Sequence, residues 1–198
     1  MRKKSKLSDV KMFVVSAPSG AGKTTLCQKL SEIVPNLKHS ISYTTRPPRK
    51  REINNIHYTF VSKKKFKAMI QRGEFVEWAV VHGNLYGTSK RRLEELAKNG
   101  CDIVLDIDTS GAAQIRSKFK DAVYIFILPP SLEVLRERLR GRMTESDEEI
   151  KRRINRAKEE IADYRNYNYV IINNEFKKAL RELESIIIAE RLRTDKRR

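Results

Sequence analysis

The chain has 198 residues, 39% of them hydrophobic, and a formal net charge of +17. That length suits one domain with a sizeable core, and its periodic apolar runs exclude a disordered polyelectrolyte. The positive excess fits polyanionic ligands, nucleotides and nucleic acids alike, while two cysteines, Cys27 and Cys101, give no disulfide framework.

His39, His57 and His82 show no metal-ligand spacing. The N-terminus is basic, but the apolar run that follows is interrupted by Asp9 and Lys11 and is too short for a signal peptide. No run is long enough to cross a bilayer. A cytoplasmic protein without a membrane partner is expected. Part of the charge lies in the tails 1–10 and 194–198, which read as solvated ends.

The first element is the apolar strand Met12-Phe-Val-Val-Ser16, followed by Ala17-Pro18-Ser19-Gly20-Ala21-Gly22-Lys23-Thr24 and a helix from Thr25 to Val34. A strand entering a helix through a Gly-rich loop is the setting of a P-loop. Its backbone N–H groups and the unpaired donors of the helix start converge on one spot, where a polyphosphate can sit. Lys23 adds a point charge at the β/γ phosphates, and the Thr24 hydroxyl a ligand for Mg²⁺. Ala17 stands where the general pattern has Gly.

Pro35 and Asn36 end the helix, and His39-Ser-Ile-Ser-Tyr43 reads as one short strand. It runs into Thr44-Thr-Arg-Pro-Pro-Arg49, whose prolines hold Arg46 and Arg49 in a stiff extended segment. His57 to Val61 is predicted as a strand, and Ser62 as the cap of a helix that places Phe66, Met69 and Ile70 on one face and stops at Gly73. Phe75 to Val81 and Leu85 to Thr88 read as strands joined by a turn at Gly83-Asn84. A βαβ rhythm then follows: helix Ser89 to Asn99, strand Cys101 to Ile107, helix Thr109 to Phe119, strand Val123 to Leu128. Such near-continuous apolar strands between helices indicate a parallel sheet covered on both faces.

Ser131 caps a helix to about Arg140, and Ser146-Asp-Glu-Glu149 is a capping box for the next. That helix carries a packing seam of Ile150, Ile154, Ala157, Ile161 and Tyr164. Arg152 and Arg156 read as its solvated face. Tyr169 to Ile172 is the last strand, and Asn174 is predicted to cap the terminal helix, whose Leu180, Leu183 and Ile187 face the core.

Four side chains in the segment 38–88, Arg46, Arg49, Tyr58 and Tyr86, make a clamp for a second phosphate. Glu77, beside Trp78, can accept two parallel hydrogen bonds from guanine's N1–H and 2-amino group. Adenine offers no such pair and would leave a desolvated carboxylate unpaired, a penalty that reaches ~10⁴-fold at comparable polar sites. Asp108 either holds water on Mg²⁺ or caps the following helix.

With these stretches in view, the sequence resembles the guanylate kinase family. The matching segments are Ser16 to Thr24, Ser42 to Arg49, Tyr58-Thr-Phe60, Glu74 to Ala79, Gly83 to Thr88, Leu105 to Asp108 and Arg138 to Arg142, spread from about Lys11 to Glu190. The resemblance implies one domain over 1–198, an α/β P-loop fold with a parallel sheet of order 2-3-1-4-5 and helices on both faces. Its core comprises about 11–37, 89–137 and 165–193, with a mixed α/β GMP-binding insertion at 38–88 and a helical lid at 138–164.

By the same resemblance, Ala17, Pro18, Ser19, Gly20, Ala21, Gly22, Lys23, Thr24, Thr25 and Asn173 hold ATP, with Asn173 near the adenine. Ser42, Glu77, Thr88 and Asp106 recognise guanine, and Arg46, Arg49, Tyr58 and Tyr86 hold the GMP phosphate. Lys23, Arg138, Arg142 and Arg153 act on the transferring phosphoryl group. Thr24 binds Mg²⁺, with Asp106 or Asp108 reaching it through water. Thr88 replaces a Ser, and Asn174 stands where an Asp is common.

The activity implied is ATP + GMP ⇌ ADP + GDP, by a monomer or homodimer with no specific nucleic-acid partner. The acceptor oxygen is already ionised, so alignment and charge stabilisation suffice. Gly83, Gly87 and Gly141 are candidate hinge or turn positions for closure. A non-catalytic phosphopeptide-binding module of the same fold would be expected to lose Lys23 or the lid arginines, and all are present. A kinase for another nucleoside monophosphate is disfavoured by Glu77 together with Ser42.

Overall fold

Every residue of the first strand, β1 (Met12–Ser16), is buried, because its two faces enter two different cores. Phe13 and Val15 pack on one side, Met12 and Val14 on the other. The computed structural model describes residues 7, 9–50, 52–141 and 147–194. Arg142, Ser146 and most of the two tails lie outside them.

β1 is the centre of a five-stranded sheet with β2 (Leu37–Ser40), β7 (Asp102–Asp106), β8 (Val123–Leu128) and β9 (Tyr169–Ile172), in the order β2-β7-β1-β8-β9. All four pairings are parallel, and numbered within this sheet the order is the expected 2-3-1-4-5. On one face lie α1 (Lys23–Ile33) and α7 (Phe176–Leu192), which contribute Leu26, Leu30, Leu183 and Ile187 to the core. On the other lie α3 (Lys90–Lys98) and α4 (Thr109–Lys118), with Leu93, Ala97, Ala112 and Ile115. Each fully buried large apolar side chain contributes roughly 1.5–3 kcal/mol.

The second sheet, of order β4-β3-β6-β5, is built from the middle of the chain: β3 (Tyr43–Thr44), β4 (Thr59–Phe60), β5 (Phe75–Val81) and β6 (Asn84–Ser89). Helix α2 (Lys63–Gln71), capped by Ser62, closes its own small core of Phe66, Met69 and Phe75. The single strand expected over His39 to Tyr43 is divided between the sheets. Residues through Ser40 pair with β7 and Tyr43 pairs with Gly87, so the chain passes to the second sheet at Ile41-Ser42. A run this short carries no sign of which sheet it will join.

The hairpin β5–β6 turns at His82 and Gly83, with φ of 48° and 75°, one residue earlier than expected. Two positive φ values match the right-handed twist of the strands. Gly87, a candidate hinge, lies inside β6, where a Cβ would come within 3.0 Å of Phe66 and Phe75; it permits close packing. A bulge between Phe75 and Glu77 breaks the strand's alternation, and Phe75, Val76 and Glu77 are all buried.

A third cluster joins α5 (Leu132–Arg140), capped by Ser131, to α6 (Asp147–Ala162) through Leu135, Leu139, Ile150, Ile154 and Ala157. Helix α7 is preceded by Glu175 at the N-cap with no side-chain cap bond, so Asn174 does not cap it; Asn174 turns the chain instead, its N–H donating to the Ile172 carbonyl.

Candidate active site

Ligands of open α/β sheets bind beyond the carboxyl ends of the strands, where strand order reverses. Here β1 runs into the loop 17–22 and β7 ends at Asp106, which pairs in register with Val15. The two ends open into a cleft of about 470 Å³ walled on its far sides by the second sheet and by α6.

The loop curls through Gly20 (φ 100°) and Gly22 (φ 89°), a conformation open to glycine at little cost. Gly22 is the N-cap of α1. A Cβ there would lie 2.6 Å from Asn173 Nδ2. That amide instead donates to the Ala21 carbonyl at 2.7 Å, and the Asn173 carbonyl accepts from Arg138 Nη2 at 2.9 Å. Asn173 is thus buried behind the loop as its prop, and Arg138 is fastened to Asn173.

Lys23 Nζ lies 2.6 Å from Asp106 Oδ1 and donates to the Ile107 carbonyl at 2.7 Å. Burial works against its charged form, but Asp106 more than compensates and holds its pKa above the ordinary lysine value. Burial likewise opposes ionisation of Asp106, and Lys23, aided by His39 and by hydrogen bonds from Lys23 and Thr24, keeps that carboxyl below its ordinary value. Asp106 was expected with the guanine group. The structure turns it to Lys23 and Thr24, on the phosphate side.

Glu77 is buried at 3% exposure and accepts from the Thr88 hydroxyl at 2.5 Å. Burial raises its pKa to about 7, the Thr88 bond opposing. Ser42 is buried and also lines the cleft. The carboxylate that keeps company with Glu77 is Asp108: its Oδ1 accepts from Gly111 N at 2.7 Å as the cap of α4. Its buried Oδ2 has no hydrogen-bond partner among the described residues and lies 3.9 Å from Arg156 Nη2. Arg156, expected on a solvated face, therefore turns inward, and Glu160 holds its Nε at 2.9 Å.

In the loop that follows β3, Arg46 is fixed on several sides. Its Nε donates to Tyr86 Oη at 3.1 Å, its Nη2 to both oxygens of Glu52 at 2.7 and 2.8 Å. Its guanidinium lies 5.6 Å from the centre of the Tyr58 ring, which meets Tyr86 edge-on. Burial lifts the Tyr58 phenol to about 12, so it stays a donor at neutral pH. Arg49 is exposed at the cleft edge, with its N–H on Glu52. From α6, Arg153 Nη1 reaches Ser19 Oγ at 3.4 Å, linking helix and loop.

The cleft brings together Ala17, Pro18, Ser19, Gly20, Gly22, Lys23, Thr24 and Thr25 with Ser42, Arg46, Arg49, Tyr58, Glu77, Tyr86, Asp106 and Arg153. Ala21, Thr88, Asn173 and Arg138 stand outside this lining, Ala21 within the loop, Thr88 and Asn173 buried behind the residues they brace, and Arg138 half-buried on the Asn173 carbonyl. Arg142 is outside the described residues. Glu52, Arg156 and Glu160 were not expected. Glu52 follows Arg46 by six residues in an irregular loop, and no period flags it.

The family model for guanylate kinase matches residues 9–190. A curated guanylate kinase of Geobacter metallireducens is 53% identical over 183 residues, covering 92% of this chain and 90% of the relative. One from Geobacter sulfurreducens is 56% identical, again over 92% and 90%. The crystal structure of guanylate kinase from Anaplasma phagocytophilum superposes with a TM-score of 0.78 at 33% identity, covering 93% of this chain and 87% of that one.

Proposed function

The chain belongs to the guanylate kinase family, and from that premise we propose that it transfers the γ-phosphoryl group of ATP to GMP, giving ADP and GDP. The observation that carries this reading is a single cleft with a P-loop at one end and a buried, hydroxyl-braced Glu77 at the other.

ATP phosphates bind the amides of residues 17–22 and the N-terminus of α1, and take over Lys23 from Asp106. GMP places its phosphate against Arg46, Arg49, Tyr58 and Tyr86, and its base against Glu77 and Ser42. A GMP phosphate oxygen attacks the γ-phosphorus as the bond to the bridging oxygen of ADP breaks. No side chain need remove a proton. Arg153, already at Ser19, and Arg138 and Arg142 neutralise the charge that builds on the phosphoryl oxygens. Closure of residues 138–164 over the cleft excludes water, which would otherwise take the phosphoryl group.

The donors suit Mg²⁺: the Thr24 hydroxyl faces the Asp106 carboxylate, and Asp108 Oδ2 is a buried oxygen without a hydrogen bond. Hard oxygen ligands, few in number and completed by substrate phosphates, are what this ion takes. Bound there, it would draw charge from the β- and γ-phosphates.

Among the described residues no helix is long and apolar enough to cross a membrane. We read the chain as a cytoplasmic monomer or homodimer whose positive charge serves anionic nucleotides without a specific nucleic-acid partner. The test is ADP release from ATP with GMP, AMP, UMP or dTMP as acceptor. GMP alone should support rapid turnover. Equal rates with AMP would refute the reading.

A further inference from the structure

The one glycine of α4, Gly111, is in its first turn, where nothing about the backbone calls for glycine: it is absent from the positions with positive φ. Alanine in a helix is favoured over glycine by roughly 1 kcal/mol. What a side chain at 111 would meet is Glu77. An ideal Cβ would fall 2.6 Å from Glu77 Oε2, 3.2 Å from Glu77 Cδ and 3.2 Å from Asp108 Oδ1.

The strand cannot retreat from that contact. Gln114, one turn along α4, accepts from the Trp78 N–H at 3.3 Å and donates to the Trp78 carbonyl at 2.8 Å. Lys118, at the end of the same helix, donates to the Val76 carbonyl. The backbone on both sides of Glu77 is thus tied to the face of α4 that carries Gly111. On its other side the carboxylate borders the open cleft. Any atom added at 111 therefore moves the carboxylate, not the strand, and moves it into the space where the base would lie.

We propose that Gly111 is a specificity-positioning residue: the missing side chain seats the Glu77 carboxylate against the first turn of α4, at the depth that receives a purine carrying an N1–H and a 2-amino group. This inference rests on the reading of Glu77 as the base-recognising group. Gly111 touches no substrate and acts through Glu77.

The experiment is a steady-state comparison of wild type, Gly111→Ala, Glu77→Gln and the double variant, with GMP and AMP as acceptors. Displacing the carboxylate weakens hydrogen bonds to a charged group, which are worth on the order of 10- to 100-fold in binding. Gly111→Ala should raise KM for GMP by at least ~10-fold, with KM for ATP within about threefold and kcat at saturating GMP nearly unchanged. Its pH profile for GMP should lose the step near 7, because the displaced carboxylate is better solvated. Glu77→Gln should cost much less in the Gly111→Ala background than in wild type. An unaltered KM and GMP/AMP ratio in folded Gly111→Ala, with Glu77→Gln still damaging, would overturn the proposal alone. Glu77→Gln without effect in wild type would overturn the reading beneath it. If Gly111→Ala does not fold, Gly111→Ala with Glu77→Ala should restore melting to that of Glu77→Ala, and failure to do so would overturn the contact.

Discussion

The Lys23 ammonium and the Asp106 carboxylate are 2.6 Å apart, with side chains 17% and 5% exposed, and this pair joins the P-loop to the end of β7. It is the nucleotide-free partner of a lysine whose other role is to meet phosphate. Removing one member of a buried pair costs ~3–5 kcal/mol, because the remaining charge is left uncompensated. Asp106→Asn should therefore destabilise the free protein by that order in urea unfolding. Added ATP should recover part of the loss by supplying negative charge to Lys23. Equal stability of variant and wild type would contradict the pairing.

Asn173 carries a second expectation. Its amide is the partner of the buried Ala21 carbonyl, and a buried acceptor left unpaired costs about 1–3 kcal/mol. Asn173→Ala should lower the melting temperature and raise KM for ATP several-fold, because the loop loses its prop, while KM for GMP stays near wild type. Calorimetry and initial rates check both halves. A change confined to discrimination among purine triphosphates would instead mark Asn173 as an adenine contact.

Glu77 sets a pH dependence. Only the carboxylate accepts both guanine donors, and burial places its pKa at about 7. In the free enzyme kcat/KM for GMP should fall about tenfold per pH unit below that value and level off above it. The GMP phosphate itself titrates near ~6, so Glu77→Gln is the control. It should keep the lower step and lose the upper one.

The same shift has a stability consequence of fixed sign. Between about 4.5 and about 7 the folded protein holds a proton on Glu77 that the unfolded chain has released. Its favourable contribution is complete below the unfolded value and is lost as pH rises through 7. At pH 8 Glu77→Gln should melt higher than wild type, and the difference should close toward pH 4.5. A difference independent of pH would contradict a buried, titrating carboxyl.

How much of this was legible in the sequence depended on range. The P-loop, the parallel strands and the helix caps at Ser62 and Ser131 rest on neighbours a few residues apart, and local spacing reveals them. The division of 37–44 between two sheets was hidden, because both strands are short and similar in composition. Asp106 and Asp108 look equivalent at the end of a strand. The chain leaves the sheet between them, so one turns to Lys23 and the other caps α4 beside Glu77. Asn173 and Gly111 owe their surroundings to segments 152 and 34 residues away, which no periodicity reports.

The measurement closest to the central claim is the ratio of kcat/KM for GMP to that for AMP, at saturating ATP, in wild type and in Glu77→Gln. Hydrogen bonds to a buried charged group are worth ~1.5–3 kcal/mol each. The ratio should be large in wild type and drop by at least ~100-fold in the variant, with KM for ATP unchanged. A ratio near one in wild type, or one that the substitution leaves intact, would contradict the account.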